Sequence, residues 1–181
     1  MSRVSLVNPA NAEGERKVVL DQIQRTFGAT PAMFRAVANS PAALKSMFGS
    51  FGALGQGKLP AKLGEQLAVA IANRNACEYC LAAHTALGRK AGATADEISE
   101  AQDGRSKDPR TAAALTFALK LVEERGQVTD ADVAAVRTAG FDDEEIVEII
   151  AHVALNLFTN YVNVALNVPV DFPAVKLRKV A

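Results

Sequence analysis

Cys77 and Cys80 are the only cysteines in the chain, and His84, one of two histidines, follows four residues after the second. Two thiols at this spacing suit either a redox dithiol or part of a metal site, and they are too few for a secreted disulfide framework. As a thiolate, one of them could attack the O–O bond of a peroxide and become a sulfenic acid. The other, already within reach, would condense with it to a disulfide. A dithiol reductant would then restore the pair by exchange.

The elements that must position these groups can be read from the flanks. Glu65 is followed by the apolar run LAVAIA, then by Asn75-Ala76 and by Cys77-Glu78-Tyr79-Cys80-Leu81-Ala82-Ala83-His84. A helix break at Asn75 and Ala76 places Cys77 at a helix N-terminus, where free N–H groups and the macrodipole favour a thiolate. On that helix, positions 77, 80 and 84 fall at about 0°, 300° and 340°, on one narrow face. Glu65 lies roughly 16 Å back from the turn on the preceding helix, and His84 roughly 12 Å along the returning one. The pairing expected is therefore Glu65 with His84, the carboxylate orienting the imidazole and supporting its proton transfers.

The same residues admit plainer readings. Cys77, Cys80, His84 and Glu65 could form a tetrahedral zinc set, or the thiols could simply be packed in the core. Glu148, His152, Asn156 and Asn160 recur at i, i+4 steps as a polar stripe on an apolar rod. A solvent face is the first reading of that stripe, and the lining of a pocket or subunit interface is the sharper one. Phe51, Phe117, Phe141 and Phe158 read as core aromatics.

Over the whole chain the signals are helical. The pattern predicts helices near 12–26, 31–38, 41–56, 60–75, 78–91, 95–102, 109–125, 129–138 and 143–167. Thr30-Pro31 and Ser40-Pro41 each read as a capping hydroxyl before a first-turn proline. Thr94 to Glu97 reads as a capping box following the terminator Gly92, and Asp142 and Asp143 place negative charge at the start of the last helix. Strand candidates are confined to VSLV and VPVDF, both beside prolines. The fold class expected is all-α, as one domain over residues 1–181, with the polar loop 103–110 joining two helical layers. A faint echo of residues 59–80 in 141–162 suggests duplication of a helical hairpin.

Composition narrows the function classes. The chain has 181 residues, 49% of them apolar, enough for a core without metal or disulfide staples. Its twenty basic residues balance twenty acidic ones, and none of the Lys or Arg gathers into the stripe that nucleic acid would require. The N-terminus has no apolar segment of signal-peptide length, and the apolar stretch near 146–166 is interrupted by Glu148, His152, Asn156 and Asn160. A cytoplasmic protein without a membrane partner is expected.

The combination E-x11-C-x2-C-x3-H resembles the signature of the alkylhydroperoxidase AhpD-like branch of the carboxymuconolactone decarboxylase superfamily. The resemblance is strongest over 59–92. Asn160-Tyr161-Val162-Asn163 with Val170-Asp171-Phe172-Pro173 also looks like the tail of peroxidase-related members. It implies an AhpD-like all-helical fold, a homo-oligomer (trimer or hexamer), a peroxide substrate and a dithiol or protein reductant, with no cofactor beyond the Cys77–Cys80 disulfide. It further implies that Cys80 is the nucleophile, Cys77 the proton donor and resolving thiol, and Glu65 and His84 the proton relay. Members with peroxidase activity can carry a histidine between the cysteines, where this chain has Tyr79, whose phenol is a poor base at neutral pH. The decarboxylase branch, a lyase on a lactone carboxylate, needs no dithiol.

Overall fold

The computed structural model describes residues 1–179, and among them there are nine α-helices, a 3₁₀ turn at Pro9–Asn11 and no strand. The helices are α1 (Gly14–Phe27), α2 (Ala32–Val37), α3 (Pro41–Leu54), α4 (Ala61–Arg74), α5 (Glu78–Lys90), α6 (Ala95–Gln102), α7 (Pro109–Glu123), α8 (Asp130–Thr138) and α9 (Asp143–Leu166). Each predicted helix is present, with ends shifted by no more than a few residues.

Local chemistry accounts for most of the boundaries. Ser40 Oγ accepts the Ala43 N–H ahead of Pro41, and Asp108 accepts the Thr111 N–H ahead of Pro109. Reciprocal capping boxes open α6 (Thr94, Glu97), α8 (Thr129, Asp132) and α9 (Asp142, Glu145). Thr30 departs from expectation. Its hydroxyl bonds Gln24, and the first N–H of α2, on Ala32, is instead met by the Asp171 carboxylate at 2.6 Å. A tertiary partner 139 residues away has replaced the local cap.

The central helix is α4, packed against α5, α6, α7 and α9. Its residues Leu67, Val69 and Ile71 are fully buried, each contributing roughly 1.5–3 kcal/mol by leaving water. The closest pairing is α4 with α5. It depends on Gly88, where a Cβ would stand 2.6 Å from Ile98 Cδ1 and 3.4 Å from Glu65 Cβ. The α4–α5 turn passes through Ala76 at φ 52, a left-handed conformation rare for a residue with a side chain.

Helix α9 is long and apolar enough to cross a membrane by length and composition, and it packs against α2, α3, α4, α5 and α7. The suggested hairpin duplication does not hold. Residues 59–80 include α4 and the turn into α5, whereas 143–162 form one uninterrupted helix.

Candidate active site at the α4–α5 turn

The four residues singled out by spacing form two contacting pairs, Cys77 with Cys80 and Glu65 with His84, and Cys80 and His84 line one cavity. Cys77 is the N-cap of α5, and its Sγ accepts the Cys80 N–H at 3.2 Å. His84 Nδ1 lies 2.8 Å from Glu65 Oε2, directly and without a bridging group. The two cysteines are 1% and 2% exposed. Among the described residues no group of three or more His, Cys, Asp or Glu is arranged to hold a metal ion.

Charge is divided unequally between the thiols, because two sulfurs in contact share a single negative charge at most. Burial alone would push Cys80 up. It is outweighed by the hydrogen bond from Cys77, the charge of His84 and amides from α9, which bring Cys80 down to about 7. Asn163 Nδ2 donates to Cys80 Sγ at 3.2 Å. Asn160 adds its dipole there, although its Nδ2 makes no hydrogen bond. The Cys77 thiol is held far up, first by the hydrogen bond to Cys80 and then by burial. The helix N-terminus was expected to favour a thiolate at Cys77, but the more heavily assisted sulfur is Cys80. For His84 burial opposes the charge, yet Glu65 and Cys80 together raise its affinity for a proton.

A cavity of about 390 Å³ opens over this centre, with walls that include Phe27, Met33, Phe34, Phe51, Leu87 and Phe172. Cys80 and His84 line it, and Cys77 does not. The Phe34 ring stacks on Phe27 and meets Phe51 edge-on at 5.9 Å between centroids. Tyr79, which also lines it, stands edge-on to Phe172 and accepts the Met33 N–H at 3.3 Å. Burial followed by its bond to Asp171 pushes the Tyr79 phenol up, so it is not a base at neutral pH.

Two sequence readings are corrected here. The stripe Glu148, His152, Asn156 and Asn160 is no solvent face. Glu148 accepts the N–H groups of Lys58 and Leu59, Asn156 and Asn160 are 4% and 0% exposed, and Asn160 Oδ1 accepts from Asn75. Phe117 and Phe141 are core, but Phe51 is a cavity wall. Asn163 was missed as a partner of Cys80. Its signal was available, three positions beyond Asn160 on the same helical face.

Comparison with known proteins bears on the family and the fold. Residues 41–124 match the carboxymuconolactone decarboxylase family. A protein from Ralstonia eutropha JMP134, described as an alkylhydroperoxidase AhpD core and peroxidase-related, is similar at 26% identity and TM-score 0.85, over 94% of this chain and 92% of that one. A peroxidase-related protein from Silicibacter sp. TM1040 is similar at 24% identity and TM-score 0.81, over 93% and 91%. An alanine variant of the debrominase Bmp8, in complex with 2,3,4-tribromopyrrole, shares the fold at 18% identity and TM-score 0.77, over 94% of each chain. No curated protein matches the sequence.

Proposed function

From the match of residues 41–124 to the carboxymuconolactone decarboxylase family and the AhpD-like fold that surrounds them, we propose that this chain is a thiol-dependent peroxidase-type oxidoreductase acting on organic hydroperoxides. The observation that carries the proposal is that Cys80, the more acidic thiol, lines the apolar cavity while Cys77 lies behind it.

In this reading the Cys80 thiolate attacks the terminal oxygen of the hydroperoxide, so an S–O bond forms as the O–O bond breaks. The departing alkoxide takes a proton from His84 and leaves as an alcohol. Cys77 then attacks the Cys80 sulfur. The S–S bond forms, the S–O bond breaks, and hydroxide leaves with the Cys77 proton as water. An external dithiol, small or carried on a protein, reduces the disulfide by exchange. Glu65 holds the His84 ring and favours its protonated form.

The test counts thiols before and after one equivalent of cumene hydroperoxide. Loss of both as an intramolecular disulfide, with Cys80→Ser inert, is expected. A Cys80→Ser protein that consumes the peroxide at the unsubstituted rate, with dithiothreitol present, overturns the reading.

A second reading has one observation in its favour. The aromatic walls around a thiolate would also seat a flat halogenated ring, and a fold relative is a debrominase. Debromination of tribromopyrrole coupled to Cys77–Cys80 disulfide formation, without peroxide turnover, would move the assignment there.

Self-association belongs to the same proposal. Val147, Ile150, Tyr161 and Val164 form an exposed apolar row on α9, which a second copy of the chain would cover. Val147→Asp with Val164→Asp is expected to shift the mass seen by light scattering to that of a monomer.

A further inference from the structure

A second cavity, of about 160 Å³, is lined by both members of the Glu65–His84 pair. It shares only Phe51 and His84 with the first cavity, and Glu65 opens into this one alone. His152 and Asn156, neighbours on α9, line it. His152 Nε2 and Asn156 Oδ1 are both buried without a hydrogen-bond partner. Unpaired buried polar atoms are costly, and a space of this size has room for several waters to meet them.

The seat of His152 is closely fitted. A Cβ on Gly64, the residue before Glu65, would stand 3.2 Å from His152 Cε1, so the glycine lets the imidazole lie against α4. The charged and titratable groups acting on His152 are Glu148 on its own helix, Glu65 on α4 and His84 on α5. Burial, the largest influence, favours the neutral ring.

The chemistry supplies a task for this space. Each oxidation spends two protons, that of His84 on the alkoxide and that of Cys77 in the water released, and the second thiol of the reductant returns one of them to Cys77. The reductant attacks as a thiolate, having left its proton in solvent, and the reduced site again holds Cys80 as a thiolate. One proton per cycle must therefore return from solvent to His84. The first cavity is largely apolar and occupied by substrate or reductant, which leaves the second as the route.

Resting on the peroxidase reading above, we propose that the second cavity is the proton port of the thiol site: water held by His152 and Asn156 links Glu65 to solvent, with His152 as a positioning residue.

The experiment compares His152→Phe and His152→Gln with the unsubstituted chain, following reduction of a preformed Cys77–Cys80 disulfide by dithiothreitol across pH in H₂O and D₂O. His152→Phe is expected to slow the reduction about tenfold above neutral pH, with an enlarged D₂O effect, since assisted proton transfer is commonly worth that much or more. His152→Gln, able to bond water without titrating, is expected to restore the rate and the pH profile. An unchanged rate in His152→Phe overturns the port, as does equal loss in both variants with no D₂O effect, which would mark His152 as packing alone. Dithiothreitol reduction needs no peroxide, so failure of the peroxidase reading appears separately, as an unsubstituted chain inert to hydroperoxide.

Discussion

His84 and Glu65, nineteen residues apart, are joined by a 2.8 Å contact between Nδ1 and Oε2. The side chains are only 12% and 23% exposed, so the contact sits where water screens little. Its consequence reaches Cys80, because the charge held on His84 is among the influences that favour the thiolate.

Glu65→Gln keeps the shape of the pair and removes its charge. The His84 imidazolium then loses its main support, and the Cys80 titration is expected to move up by about one unit from its value of about 7. Iodoacetamide alkylation across pH, read by mass spectrometry, measures the midpoint. A midpoint that stays in place would mean that Glu65 does not govern the thiol.

The two thiols should be separable by reactivity. Thiolate increases with pH, so alkylation of Cys80 is expected to rise through about pH 7 while Cys77 stays unmodified. In Cys77→Ala the hydrogen bond to Cys80 is gone and the midpoint should climb toward that of an ordinary thiol. Peroxide treatment of that variant should leave a dimedone-reactive sulfenic acid. Preferential labelling of Cys77 in the unsubstituted protein would reverse the assignment.

Asn163→Leu removes the amide that donates to Cys80 Sγ and puts an apolar group of similar size in its place. The thiolate loses a charge-assisted hydrogen bond, and the alkylation midpoint is expected to rise by about one unit. A thermal melt close to that of the parent would separate this electrostatic effect from disruption of the fold.

Ala76 tests the turn itself. At φ 52 its Cβ is strained, whereas glycine adopts this conformation freely but costs more entropy to order. Ala76→Gly is expected to raise stability by up to about 1 kcal/mol, measured as a higher urea midpoint with an unchanged slope. A destabilised variant would show that the turn is held by tertiary contacts strong enough to absorb the strain, such as Asn75 Nδ2 to Asn160 Oδ1.

Helix α4 offers a packing test. Leu67 is 0% exposed on α4, the helix that packs against α5, α6, α7 and α9. Leu67→Ala is expected to cost about 2–5 kcal/mol through lost burial and a residual cavity, seen by denaturant titration. A smaller loss would mean that the neighbouring helices close over the gap.

What the chain determines by itself is whatever depends on neighbours within about four residues along a helix. The apolar spacing, the Ser40 and Asp142 caps and the Thr94–Glu97 box set the helices to within a few residues. Two adjacent antiparallel helices, α4 and α5, were enough to place Glu65 beside His84 by simple arithmetic on rise per residue. Tertiary structure supplied the contact that sets Cys80 apart from Cys77, since Asn163 reaches it from 83 positions away. It also turned the stripe from Glu148 to Asn160 inward, and it capped α2 with Asp171 in place of Thr30. The physical reason is range: periodicity and capping act along the backbone, whereas desolvation and electric fields act through space and depend on what the fold brings alongside.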